Sequence, residues 1–168
     1  MDTTLLKETF QRIGQENGGT TAFGLRFYQR LFAQYPQVRP LFKTPPEEQH
    51  KKLLTSLGVV VSHVNRLEEV VPYLHAMGIR HLAYGTETGH YAAVGENLLA
   101  VLQEHLSKAG DWTPEMQETW SEAVNAVAQV MVEAAEHPEN YRSEMTQAGY
   151  EPDGFRKPSD NRPVYAFA

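Results

Sequence analysis

No cysteine occurs in the 168 residues, so the chain has no disulfide, no thiolate metal site, no iron–sulfur cluster, no thioether-linked prosthetic group and no cysteine nucleophile. Any metal or cofactor must be held by His, Tyr, carboxylate or packing. Basic runs are missing as well: the formal charge is -6 and the Lys and Arg residues are scattered, which argues against nucleic acid and anionic membrane as partners. No apolar stretch approaches the roughly twenty residues of a membrane span. The start, Met1-Asp2-Thr3-Thr4, has neither the positive flank nor the apolar core of a leader, and the expected location is cytoplasmic. Clean two-residue alternation is absent, which leaves no strand to assign. There is no glycine-rich phosphate loop either.

What is present is helical periodicity in a chain of ordinary globular composition, 41% hydrophobic and 21% charged. The length suits one domain whose core could also wrap a cofactor. A first helix follows Thr3-Thr4 and buries Leu5, Leu6, Phe10 and Ile13 before Gly18-Gly19 interrupts it. A second, from about Thr20 to Gln34, carries Phe23, Phe27, Tyr28, Leu31 and Phe32 and is closed by Tyr35-Pro36. Pro36, Pro40, Pro45 and Pro46 enclose a turn-rich segment holding Val38, Leu41 and Phe42. A third helix begins after Pro46, with Glu47-Glu48 at its positive end and a stripe of Gln49, Leu53, Leu57, Val60 and Val64. Tyr91 to His105 carries a further helix, and the cap Thr113-Pro114-Glu115 opens the last, whose core face includes Trp120, Val124, Val127 and Met131.

Between these lies the most informative residue, His81. The stripe Leu67, Val70, Val71, Leu74, Met77, Gly78 ends on it, and Leu74 and His81 are two helical turns apart, so the imidazole shares the leucine's buried face. Neutral imidazole is the commonest protein ligand for metals; the alternative is a core histidine satisfied by backbone carbonyls. His63, His75, His90, His105 and His137 fall on no common face with ligand spacing and read as surface or satisfied histidines.

The chain changes character at Glu136-His137-Pro138. Residues 1–138 read as the helical domain. Residues 139–168, with Pro138 just before them and Pro152, Pro158 and Pro163 within, read as an irregular tail that is extended or partly docked through Tyr150, Phe155, Tyr165 and Phe167.

Four segments together resemble a known family: Phe27-Tyr28-Gln29-Arg30-Leu31-Phe32, Tyr35-Pro36-Gln37-Val38-Arg39-Pro40-Leu41-Phe42, Arg80-His81, and His90-Tyr91-Ala92-Ala93-Val94-Gly95-Glu96-Asn97-Leu98-Leu99. The match is to bacterial globins of the single-domain and flavohaemoglobin type, over roughly the first four fifths of the chain, with the segment between Phe42 and Gln49 a few residues short. The resemblance implies an all-α globin fold, a three-over-three helical sandwich, holding non-covalent haem b. It implies His81 as the proximal iron ligand, Phe42 as the aromatic packed on the porphyrin, Tyr28 as the distal tyrosine, and Gln49 with Leu53 one turn on as distal residues. An ungapped count back from His81 gives Gln49, whereas a shift of one gives His50, which could then be a second iron ligand.

Tyr91 resembles the tyrosine that orients the proximal imidazole in flavohaemoglobins together with a glutamate of the last helix. Here the sequence departs from that pattern. Counting from Trp120 places Ala135 at the glutamate position, with Glu133 and Glu136 on different bearings. The FAD- and NADH-binding module of flavohaemoglobins is also missing, so the resemblance implies an external reductase. Two functions follow as expectations: reversible binding of O2, with NO and CO as further ligands, for delivery, storage or sensing; or nitric oxide dioxygenase activity with a separate reductase. The protein is expected to be a monomer or a homodimer.

Overall fold

A computed structural model describes residues 1–107 and 112–157. Among the described residues, seven α-helices run in chain order: α1 Thr3–Gln15, α2 Gly19–Gln34, α3 Pro46–Ser62, α4 Val71–Ala83, α5 Thr88–Leu106, α6 Pro114–Glu136 and α7 Arg142–Gln147. Short 3-10 turns span Pro36–Leu41, Leu67–Glu69 and Pro138–Asn140. No strand occurs among the described residues, and a single bridge pairs Tyr150 with Arg156. No helix among them is long and apolar enough to cross a membrane.

Local chemistry sets the helix ends. Asp2 rather than Thr3 or Thr4 caps α1, accepting the Leu5 N–H at 2.9 Å; its carboxylate is the stronger acceptor, and both threonines fall inside the first turn. Asn17, Gly18 and Gly19 all adopt positive φ, and this tight left-handed turn lets α2 start immediately after α1. Val64 lies beyond the end of α3, because the His63 N–H closes the helix on the Val59 and Val60 carbonyls, the latter a 3-10-type bond at 3.1 Å, and the His63 ring bonds the Val59 carbonyl at 2.8 Å. Leu67 is likewise separated from α4, which starts at Val71 with Pro72 in its first turn, where the missing N–H costs nothing. At α5 a reciprocal cap forms: Glu87 accepts the His90 N–H while the His90 ring accepts the Glu87 N–H at 3.0 Å.

The helices pack as a sandwich. α4 lies along α6, α2 along α5 and α3, and α1 against α2, α3, α5 and α6, so that α1, α3 and α4 are laid over α2, α5 and α6. The core contains Leu6, Ile13, Phe23, Phe27, Leu31, Val101, Leu102, Leu106 and Trp120, all essentially buried. Its one large polar edge is satisfied internally: the Trp120 indole donates to the Thr9 hydroxyl at 2.8 Å, which in turn donates to the Leu5 carbonyl at 2.7 Å. α4 and α6 approach so closely that a Cβ on Gly78 would lie 2.3 Å from the Met131 carbonyl oxygen.

After α6 the chain turns back onto α4. α7 buries Met145, and Tyr150 follows it into a second apolar cluster with Val70, Tyr73, Leu74, Ala76 and Met77. Phe155 rests on the surface, 40% exposed. Tyr165 and Phe167 lie outside the described residues.

Candidate functional site

The sandwich encloses a cavity of 330 Å³. Its walls come from α2, the Pro36–Leu41 turn, α3, α4, α5 and α6, and they are largely aliphatic and aromatic. Of the residues singled out in the sequence, Tyr28, Phe42, Gln49, Leu53, His81 and Tyr91 all line it.

His81 sits in the last turn of α4. Its Nδ1 lies 2.5 Å from the Met77 carbonyl oxygen, one turn back, which fixes that nitrogen as the protonated one. Among the described residues Nε2 has no hydrogen-bond partner. Burial pushes the imidazole pKa down to about 4, against the opposing pull of the Met77 carbonyl and reinforced by the nearby Arg80 cation. The ring is thus neutral near pH 7, with a lone pair on Nε2, which is the state a metal requires. Tyr84 meets it edge-on at 5.4 Å between centroids, and Tyr91 lies tilted at 40° and 6.2 Å.

On another wall Tyr28, 7% exposed, stands beside Gln49. The Gln49 amide donates to the Tyr28 hydroxyl at 3.2 Å, and the hydroxyl reaches the Gln49 main-chain carbonyl at 3.4 Å, a long bond. Burial raises the phenol to about 12, so it remains a donor at any physiological pH. Thr44 orients the amide by donating its hydroxyl to the Gln49 side-chain oxygen. Sequence reasoning missed Thr44, because its contact depends on how the loop before α3 folds. Phe42 packs edge-on against Tyr28 and Phe32 at 5.5 and 5.3 Å.

Gln49 and His50, the two alternatives for the distal position, are placed differently. Gln49 lines the cavity and His50 does not; the His50 ring stacks on Tyr28 at 5.3 Å and 12°, with its Cβ against Gly24. The remaining histidines are engaged elsewhere: His63 with the Val59 carbonyl, His75 against the Tyr141 ring, His105 with the Ile13 carbonyl, His137 near Glu139. His90 borders the cavity but is held in its helix cap.

Among the described residues the Tyr91 hydroxyl, which is buried, has no hydrogen-bond partner, and burial raises it to about 12. The two glutamates that flank Ala135, the position expected for its carboxylate partner, are engaged with other groups. Glu133 accepts from the Tyr141 hydroxyl and Glu136 from the Thr88 hydroxyl, both at 3.2 Å.

Fold and cavity together define a class: an all-α protein with a neutral imidazole on one wall of an apolar chamber and a phenol–amide pair on another. The globin family model matches residues 25–131, and the chain belongs to the globin family. Globins bind haem, and through it oxygen. The chain is 28% identical over 110 residues to a flavohemoprotein of Halalkalibacterium halodurans, covering 64% of this chain and 26% of that protein. It is 30% identical over 124 residues to a flavohemoprotein of Pseudomonas aeruginosa, 72% of this chain and 31% of that one. An uncharacterized globin-like protein of Aquifex aeolicus is 28% identical over 128 residues, 76% of this chain and 87% of its own length. The matches thus span a quarter to a third of the flavohemoproteins but most of the Aquifex protein. Among solved structures, a bacterial globin from Campylobacter jejuni superposes with a TM-score of 0.68 over 82% of this chain and 96% of its own, at 21% identity, a likeness of fold.

The residues present fit haem. An apolar chamber walled by Phe42, Leu53, Val94, Leu98, Val127 and Met131 suits a porphyrin, and a tautomer-locked imidazole with a bare Nε2 suits its iron.

Proposed function

We propose that this globin binds haem b through His81 and takes up dioxygen, with nitric oxide and carbon monoxide as further ligands, in oxygen binding, delivery or sensing. The observation that carries this reading is the pairing of His81 Nδ1 with the Met77 carbonyl, which leaves a neutral Nε2 facing an apolar chamber. Bound haem would supply the iron at which a diatomic gas coordinates. His81 would hold it from α4, Phe42 would pack on its ring, and Leu53 would keep the chamber beside Tyr28 and Gln49 apolar. Tyr28 holds a proton bonded only weakly, at 3.4 Å, and can turn it toward a gas that carries partial negative charge; Gln49 keeps the hydroxyl in place.

Nitric oxide dioxygenase activity with a separate reductase is the second reading, favoured by kinship with the flavohemoproteins. The unpartnered Tyr91 hydroxyl weighs against it. With Glu133 and Glu136 committed to Tyr141 and Thr88, no carboxylate draws Tyr91 toward the imidazole, and His81 gains no imidazolate character from it.

Pyridine hemochrome analysis of the purified protein tests the proposal. The expected result is one haem b per chain with a Soret band that shifts on adding CO. A protein that neither retains nor takes up haem would overturn it.

A further inference from the structure

Three consecutive residues of α4 form the backing of His81: Ala76, Met77 and Gly78. Met77 supplies the carbonyl that holds Nδ1. Gly78 faces α6 at the distance already given, too close for any side chain. Ala76 faces the C-terminal turn, where Gly154 comes so near that a Cβ there would lie 2.2 Å from the Ala76 carbonyl oxygen and 2.8 Å from the Arg80 nitrogen. Those two atoms stand four residues apart, the donor and acceptor spacing of one helical turn. Gly154 also has φ +91°, so a side chain at 154 is opposed by both space and backbone conformation.

A second line of contact runs through rings. Phe155 meets Tyr84 edge-on at 6.3 Å and 86°, and Tyr84 meets His81 edge-on at 5.4 Å and 71°. The Arg80 guanidinium lies 5.6 Å from the centre of the Phe155 ring. The turn itself is tightly tied, with Glu151 N donating to the Phe155 carbonyl at 2.6 Å and Lys157 N to the Gly149 carbonyl at 2.9 Å, and it is anchored by the buried Met145 and Tyr150.

We propose that the C-terminal turn carrying Gly154 and Phe155 positions the iron-binding imidazole, acting as the outer jaw of a clamp whose inner jaw is Met131 of α6. The jaws close on Ala76 and Gly78 and so fix the Met77 carbonyl between them, which sets the tilt and height of His81. Close-packed contacts of this kind shift in steps and do not stretch, so loss of one jaw moves the carbonyl and the ring with it. The turn lies beyond residues 25–131 that match the globin family. Gly154 and Phe155 act as positioning residues, and the inference rests on His81 being the haem ligand.

The test uses the haem-loaded full chain as wild type, Gly154→Val, Phe155→Ala and Phe155→Tyr. The readouts are the iron–imidazole stretching band of the ferrous, ligand-free protein, the O2 dissociation rate, and hydrogen exchange across residues 141–157. Gly154→Val should raise exchange across the turn, shift and broaden the band, and change O2 dissociation several-fold. Phe155→Ala, at an exposed position that spares folding, should shift the band less and in the same direction, and Phe155→Tyr should restore it. A segment that only adds stability would lower the melting temperature and leave the band in place. An unmoved band in Gly154→Val overturns the clamp, whether the turn has detached without consequence or has stayed docked despite the added side chain. A wild-type protein with haem but no iron–imidazole band overturns the ligand reading instead, and the inference with it.

Discussion

The Gln49 amide donates to the Tyr28 hydroxyl at 3.2 Å, while among the described residues that hydroxyl's own proton has only the Gln49 main-chain carbonyl, 3.4 Å away. The phenol is therefore held firmly by the bond it accepts and loosely by the bond it donates. A gas with partial negative charge competes for that proton against a weak acceptor. Tyr28→Phe should raise the O2 dissociation rate by about one to two decades, the equivalent of a charge-assisted bond worth roughly 1.5–3 kcal/mol. CO dissociation should change far less. Stopped-flow displacement of each gas checks this, and an equal response of the two would show that the hydroxyl is not a donor to the ligand.

Thr44 governs the same pair from behind. Thr44→Val removes the hydroxyl that holds the Gln49 side-chain oxygen, freeing the amide to turn away from Tyr28. O2 dissociation should rise by a smaller factor than in Tyr28→Phe, and the double variant should be no worse than Tyr28→Phe alone. Additive losses would mean the two act independently.

His81→Gly is expected to lose most of its haem during purification and to regain a five- or six-coordinate spectrum when imidazole is added. Retention of the wild-type spectrum without imidazole would rule out His81 as the ligand. His50 would not substitute, since its ring is stacked on Tyr28 and does not line the cavity.

His75 gives the C-terminal segment an acid-sensitive attachment. Burial lowers its pKa from 6.5, outweighing the nearby Glu144 carboxylate, which acts to raise it. The unfolded chain therefore takes up the proton first as pH falls. The contribution to stability is complete above the unfolded value of 6.5 and is lost as pH drops below it toward the depressed folded value, with a slope of at most about 1.4 kcal/mol per pH unit. Urea midpoints for wild type and His75→Gln, measured in parallel between about pH 7.5 and about pH 5, should diverge in slope over that interval. Parallel slopes would show that His75 contributes nothing to the acid response.

With a generic NADH-driven flavin reductase under air, wild type should consume nitric oxide slowly, and Ala135→Glu should gain if a carboxylate there reaches Tyr91. Wild-type turnover at a flavohaemoglobin's rate, with no gain in the variant, would rank the enzyme reading first.

The helical sandwich was legible because each long helix carries an apolar period and a chemical stop: Pro36, Pro46 and Pro72, the Gly18-Gly19 turn, and the Thr113 cap. The motifs singled out His81, Tyr28 and Phe42, and all three line the cavity. Whether Gln49 or His50 faces the chamber was not legible, since a one-residue shift rotates a helix by about 100° and the short segment after Phe42 left the register open. The commitment of Glu136 to the Thr88 hydroxyl depends on a partner at the start of another helix, which local pattern does not reveal. The docking of Gly154 was hidden for the same reason, since a glycine carries no apolar signal and its meaning lies in the helix it approaches.

The near-contact between Gly78 and the Met131 carbonyl makes α4 and α6 mechanically one part. α6 is 23 residues long, about 35 Å at 1.5 Å per residue. Near its other end, Trp120 is tied to Thr9 of α1 and Glu122 to the chain's amino terminus at 2.8 Å. A force applied at the imidazole is therefore delivered to the first helix along α6, the stiff wall of the chamber that carries Trp120, Val124, Val127 and Met131.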